Sequence, residues 1–231
     1  MTLRRLFGQA NAAAGATVVL DPEARKHAKV LRLEVGAHVE LFDGQGHLAE
    51  AELLAGGDAR IVRSWTATPS APLRVLVWGL PKASAVDTGV RMATELGVDR
   101  IRPALAERTP RPPSDAKVQR WRRIALEATR QCERSTCPTI EAPLPLAEAA
   151  AVAVDQRLVA LARGTHSAAP DPTGSVAIAI GPEGGFTEGE RALLADLGYE
   201  PVALGSHVLR SETAVAAALA RVAGASGSAL Q

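Results

Sequence analysis

Two kinds of sequence pattern share this chain, and they change over inside one short Pro-bearing stretch, Thr66-Ala-Thr-Pro-Ser-Ala-Pro72. Ahead of it, brief stretches at 17–20, 37–42, 47–54 and 60–65 are separated by turn signals at Gly36, Asp43-Gly44 and Gly56-Gly57, which reads as strands joined by tight turns. Asp21-Pro22 opens a helix through Val30, with Asp as N-cap and Pro at the first helical position. About four strands and one helix in so short a segment predict a small β-barrel over 1–68. Behind the boundary, strands and helices alternate. The apolar run 73–80 reads as a strand buried on both faces. A helix to Leu96, a strand at 100–105, a helix over 115–131 with Ser114 as N-cap, and strands at 157–161 and 175–180 follow. Thr187-Glu-Gly-Glu190 is a capping box opening a helix that stops at Gly198; a strand at 201–204 and a helix over 212–223 complete the pattern. Repeated strand–helix units predict an α/β domain over 73–231 with a mainly parallel sheet. With 3% aromatic residues and 45 alanines inside an apolar fraction of 47%, the cores must rest on Val, Leu and Ile.

Charge is unevenly placed. Residues 1–35 carry six basic groups (Arg4, Arg5, Arg25, Lys26, Lys29, Arg32) against three acids, and residues 100–134 carry ten against four. Residues 141–200 carry three against nine acids, so a net charge of +1 conceals two basic blocks and one acidic block. At 100° per residue, Arg120, Arg123, Arg130 and Arg134 fall within about 80° of one another, opposite the Val118/Trp121/Ala125 stripe. Guanidinium forks in such an arrangement suit phosphate oxygens, although a solvated face has the same composition. No apolar run approaches the ~18 residues of a bilayer span, and the N-terminus lacks the apolar core of a secretory signal. Two cysteines, Cys132 and Cys137, and five scattered histidines have no zinc-ligand spacing. The expectation is a cytoplasmic protein with free thiols, no metal and no membrane.

Two segments carry candidate chemistry. Gly181-Pro-Glu-Gly-Gly-Phe186 follows a buried strand directly, and ligands of parallel α/β sheets bind at strand carboxyl ends. Leu204-Gly-Ser-His-Val-Leu-Arg-Ser-Glu-Thr213 runs from the next strand into the last helix, with Arg210 demanding an anionic partner and Ser211 or Thr213 reading as helix caps. The first segment is not a phosphate loop and not Gly-x-Gly-x-x-Gly. Glu200 nonetheless lies where a ribose contact would fall, which keeps a dinucleotide-dependent oxidoreductase as an alternative.

Taken together, the motifs resemble a known family. GPEGGFTEGE (181–190) and LGSHVLRSETAVAAALA (204–220) look like the C-terminal motifs of the RsmE-type 16S ribosomal RNA methyltransferases of the SPOUT superfamily. ATELGVDRIRPALAERT (93–109) and RWRRIALEATRQCERSTCP (120–138) resemble its middle motifs, and HAKVLRLEVGAHVELFDGQG (27–46) its N-terminal domain. The likeness covers nearly the whole chain in the right order. It departs at Lys82-Ala83-Ser84-Ala85 and Val90-Arg91, where the family commonly has a Lys-Gly-acid stretch followed by Gln-Lys.

The resemblance implies a PUA-like barrel joined to a SPOUT-type α/β domain with a C-terminal trefoil knot, homodimerisation, and methyl transfer from S-adenosylmethionine to N3 of one uridine in 16S rRNA of the small subunit. On that reading, Leu161, Gly181, Glu183, Gly184, Gly185, Leu204, Gly205, Leu209 and Arg210 hold the cofactor. Arg210, then Glu183, are the candidates for catalysis, and Arg4, Arg5, Arg25, Lys26, Lys29, Arg32, Arg120, Arg123, Arg130 and Arg134 are those for RNA. A non-catalytic RNA-binding protein is the remaining alternative.

Overall fold

The computed structural model describes residues 3–68, 72–161, 168–171 and 173–223. The boundary residues 69–71 and the Gly/Ser tail from Gly224 lie outside them. The chain forms two compact units, Met1–Pro69 with Leu126–Cys137, and Ser70–Ala125 with Pro138–Gln231.

In the first unit, β1 (Arg4–Phe7), β2 (Thr17–Val18), α1 (Pro22–Val30), β3 (His38–Phe42), β4 (His47–Leu53) and β5 (Ala59–Thr66) follow in order. The five strands pair as β1-β3-β4-β5-β2, with β1 parallel to β3 and the other pairs antiparallel. Among the described residues no pairing joins β1 to β2, so the sheet is a half-barrel. The core of the unit buries Leu6, Leu20, Val39, Leu41 and Ile61; Val39 and Leu41 are alternate positions of β3, which period-two geometry sends to one side. Asp21 caps α1, its carboxylate accepting from Ala24 N at 2.7 Å. The strand β1 has no counterpart in the sequence pattern: Arg-Arg-Leu-Phe reads locally as charge, and its parallel partner lies 35 residues away.

The segment Leu126–Cys137 completes this unit through arginines. Arg5 Nε donates to Glu40 at 2.6 Å, Nη1 donates to the Arg134 carbonyl at 2.9 Å, and the guanidinium lies 4.7 Å over the Phe42 ring. The Arg130 guanidinium lies 5.2 Å over Phe7 and 3.8 Å from the Glu23 carboxylate. Gly46 N donates to Ser135 O and Cys137 N to Gly44 O. Cys132 and Cys137 are free and half-buried, and burial pushes the Cys137 thiol up.

The second unit contains β6 (Arg74–Gly79), α2 (Ala83–Glu95), β7 (Arg100–Leu105), α3 (Asp115–Gln131, belonging to this unit through Ala125), β8 (Thr139–Ile140) and β9 (Leu144–Pro145). There follow α4 (Leu146–Ala150), β10 (Gln156–Ala160), β11 (Val176–Ile180), α5 (Glu188–Asp196), β12 (Glu200–Val202) and α6 (Ser211–Ala223). The sheet runs β12-β10-β11-β6-β7-β8, with β9 also on β7, and every pair is parallel. Every residue of β6 and β11 is buried, as their near-continuous apolar sequences require. The capping box is formed: Glu190 N donates to Thr187 Oγ1, and Thr187 N donates to Glu190 Oε2. Helix α6 packs on α2 and on β11. The knot implied by the resemblance falls in the C-terminal chain, of which residues 162–167, 172 and 224–231 lie outside the described residues. Tyr199 donates its hydroxyl to Ala150 O at 3.0 Å, and burial pushes its pKa up to about 12. Among the described residues, no helix is long and apolar enough to cross a membrane.

One core contact fixes α2 against the sheet. A Cβ built on Gly89 would stand 2.2 Å from Trp78 Cη2, and Trp78 has no exposure. Alanine ordinarily favours a helix interior over glycine by about 1 kcal/mol. Here the clash outweighs that gain, and Gly89→Ala is expected to destabilise the fold by about 1–3 kcal/mol. Urea unfolding checks this: the midpoint should fall at unchanged slope.

Candidate functional site

The carboxyl ends of β10, β11 and β12 open onto a cavity of about 610 Å³ within the second unit. All nine residues read from the sequence as cofactor-binding line it: Leu161, Gly181, Glu183, Gly184, Gly185, Leu204, Gly205, Leu209 and Arg210. The parallel order explains the convergence. Placing β10 between β11 and β12 brings their loops to one edge, although 23 residues separate Gly181 from Leu204.

The Gly-rich loop folds tightly on itself. Gly185 N donates to Pro182 O at 2.7 Å, and Gly185 adopts φ 67°, a left-handed conformation that favours glycine. A Cβ on Gly181 would meet Phe186 N at 3.1 Å and Gly185 C at 3.2 Å. Three anchors hold the loop from outside: Glu183 Oε1 accepts from Lys82 N at 3.0 Å, Arg108 Nη1 donates to Gly184 O at 2.5 Å, and Ser211 Oγ donates to Gly181 O at 3.4 Å. Glu107 N also donates to Glu190 Oε1 at 2.7 Å, tying the loop after β7 to the start of α5. The Lys82 contact lies where the sequence departs from the family pattern, and it uses main chain, which the change of side chains at 83–85 leaves available.

Opposite, the segment 205–210 is open. Among the described residues, none of its backbone N–H groups has a protein partner, and the Arg210 guanidinium has none either. Arg108, Arg191 and His207 also line the cavity, and the sequence reading does not single them out. Arg108 falls at the end of the 93–109 motif, the one signal that could have found it. With Arg210, these groups line the cavity together with a single carboxylate, Glu183. Ser211 departs from the helix-cap expectation, since its hydroxyl bonds Trp78 and Gly181. No cluster of three or more metal-ligating side chains occurs among the described residues.

The basic candidates divide. In the first unit Arg4, Lys26, Lys29 and Arg32 are exposed, and Arg25 pairs with Asp58 at 2.9 Å. Arg5 and Arg130 keep 10% and 15% side-chain exposure because they hold that unit together. Arg134 is half-buried. In the second unit Arg120 is exposed and pairs with Asp87 at 2.9 Å, and Arg123 is exposed.

Comparison with known proteins bears directly on this geometry. Residues 69–223 match the RNA methyltransferase domain family, and residues 20–62 match the RNA methyltransferase PUA domain. A ribosomal RNA small subunit methyltransferase E of Synechocystis sp. is 36% identical over 206 residues, covering 84% of this chain and 68% of that protein. That of Mycobacterium bovis is 33% identical, covering 90% and 86%. The chain belongs to the ribosomal RNA small subunit methyltransferase E family. Among solved structures, a methyltransferase E from Neisseria gonorrhoeae bound to S-adenosyl methionine superposes with TM-score 0.85 at 29% identity, covering 94% of this chain and 95% of that one. A putative methyltransferase from Legionella pneumophila with bound cofactor SAM also gives 0.85, at 27% identity and with 97% and 98% covered. The methyltransferase E fold therefore extends over both units, and within it the strand-end loops of the α/β unit form the cavity described above.

Proposed function

We propose that this chain transfers the methyl group of S-adenosylmethionine to N3 of one uridine in 16S ribosomal RNA of the small subunit, acting in the cytoplasm as a homodimer. The observation that carries the reading is the convergence on one cavity of two distant loops, which supply eight of the nine candidate residues, with the ninth, Leu161, at the end of β10. The cavity suits the cofactor. Leu161, Ile180 and Leu209 give it apolar walls for a purine, and the N–H groups of 205–210, without a protein partner among the described residues, offer donors to ring nitrogens, hydroxyls or a carboxylate. Close backbone approach is available at Gly185, where a Cβ would meet nothing within 4 Å.

When bound, the sulfonium cofactor supplies an electrophilic methyl group and a neutral leaving group. Uracil N3 is a weak acid, so the protein's task is to orient the base and stabilise its anion. Arg210, which lines the cavity and whose guanidinium has no protein partner among the described residues, can donate to a uracil carbonyl oxygen as negative charge develops there. Glu183 keeps one carboxylate oxygen beyond its Lys82 contact, able to accept the N3 proton or a hydrogen bond donated by a cofactor hydroxyl. The deciding experiment is mass mapping of rRNA from a strain lacking the protein: loss of one 3-methyluridine, restored by the gene, supports the reading, and an unchanged rRNA overturns it. Calorimetry with S-adenosylmethionine against NAD separates it from a dinucleotide enzyme. The dimer is supported by the family resemblance and by the exposure of the small residues Thr213 and Ala220 on α6; a monomer in sedimentation at micromolar concentration would remove it.

With a net charge of +1, RNA must be held by local patches. Arg4, Lys26, Lys29 and Arg32 form the supply in the first unit, and Arg120 and Arg123 in the second. Replacing Lys26 and Lys29 by alanine should lower the salt slope of RNA binding by about one unit per lost phosphate contact, as should replacing Arg120 and Arg123. Arg5→Ala and Arg130→Ala should instead act on stability, since each removes a packed cation. Titration of a small-subunit substrate at two salt concentrations checks both statements.

A further inference from the structure

Trp78 heads the largest fully buried side chains, and its indole N–H donates to Ser211 Oγ at 2.8 Å. An indole nitrogen can only donate, and a hydroxyl has a single proton. The Ser211 proton therefore points away from Trp78, and the acceptor it reaches is the carbonyl oxygen of Gly181, 3.4 Å away. Ser211 is 5% exposed at the first residue of α6, while Gly181 opens the Gly-rich loop at the end of β11. One buried hydroxyl thus joins the two chain segments that make the cavity, and the direction of its hydrogen bond is set from the core. The Gly89 contact adds a further constraint, because it leaves the indole ring no room to move toward α2.

We propose that Ser211 is a positioning residue for the cofactor: oriented by Trp78, it fixes the Gly181 carbonyl and with it the fold-back of residues 181–185. The proposal rests on reading the cavity as the cofactor site. A space-filling or capping serine would not need the indole, whereas this arrangement makes Trp78 and Ser211 act on the loop as one unit. Ser211→Ala frees the Gly181 carbonyl and strands the indole N–H, while Ser211→Thr keeps the hydroxyl.

Two measurements test this. The first is amide hydrogen exchange of the loop 181–186 in the protein without cofactor, a readout that does not require methyl transfer. The second is the calorimetric Kd for S-adenosylmethionine. Ser211→Ala is expected to speed exchange in the loop and weaken binding, each about tenfold, the effect of losing one buried hydrogen bond. Ser211→Thr should stay within about threefold of the parent. Trp78→Phe should give a smaller effect of the same kind, and the double variant should be no worse than Ser211→Ala alone, as coupled residues require. If Ser211→Ala does not fold, Ser211→Cys, similar in size and a weak donor, takes its place in the same comparison. Parental exchange in the loop of the Ser211 variant, or effects of Ser211 and Trp78 that multiply, would overturn the proposal. Failure of the parent protein to bind S-adenosylmethionine would overturn the cofactor reading instead, and the exchange measurement would still decide the role of Ser211.

Discussion

Gly185→Val is expected to leave the protein folded and to weaken S-adenosylmethionine binding by at least about a hundredfold, roughly 2.7 kcal/mol. Two features of the residue produce this result. Its φ of 67° is one that β-branched residues rarely adopt, so valine strains the turn or shifts it. Its Cβ position meets no protein atom within 4 Å and lines the cavity, so the new side chain meets ligand space and little else. The strain is local to an exposed turn, and the buried strand β11 before it is untouched. Calorimetry measures the affinity, and the thermal midpoint reports the fold. Gly189→Ala is the matched control: Gly189 lies within α5, its Cβ also meets nothing within 4 Å, and it does not line the cavity. Parental affinity in the Gly185 variant would show that the loop does not approach the cofactor.

Arg210→Ala is expected to lower kcat by about a hundredfold to a thousandfold, the usual consequence of removing one preorganised donor to a developing anion. Arg210 lines the cavity, and its guanidinium has no protein partner among the described residues, so removal strands no internal group and the fold should keep its stability. The pH profile gives the discriminating readout. The cation favours the deprotonated base, so without it the rise of rate with pH should move to higher pH. Arg210→Lys should recover part of the rate by keeping the charge while losing the planar fork. A variant with unchanged kcat and pH profile would assign the stabilisation of the anion to another cavity cation, with Arg108 and Arg191 the remaining guanidiniums.

Much of this site is legible in the linear chain because its signals are local. A Gly-rich turn after a buried strand, a capping box at Thr187 and Glu190, and an Arg beside a helix start each follow from residues within one or two turns of chain. The capping box forms as read, and β11 ends one residue before Gly181. Helix α1 likewise begins at Pro22 behind its Asp21 cap, because the cap and the fixed proline φ are properties of that dipeptide. The order of strands around the cavity has no such local signature. Each parallel pairing joins distant segments, and burial on both faces erases the alternation that would reveal register.

Sequence alone therefore settles the class of most segments, the change from a β-rich unit to an α/β unit, and the identity of the two cavity loops, but it misses the short strands β1, β8 and β9 and the short helix α4. Packing in three dimensions selects which charges are free. Arg5 and Arg130 are indistinguishable in sequence from their exposed neighbours. Each is nevertheless drawn inward by an aromatic ring, Phe42 or Phe7, and by a nearby carboxylate. Packing likewise assigns Leu126–Cys137 to the first unit, through hydrogen bonds from Arg5 and Gly46 that span 129 and 89 residues of chain. Ser211 shows the same limit at the site itself. A serine at a helix start caps by local rule, but a buried indole 133 residues away takes its oxygen and turns its proton toward Gly181. Local rules act through backbone dihedrals and neighbouring polar groups, so a linear reading finds them; hydrogen-bond direction in a core depends on which donors the fold brings together, and that is settled only when the sheet closes.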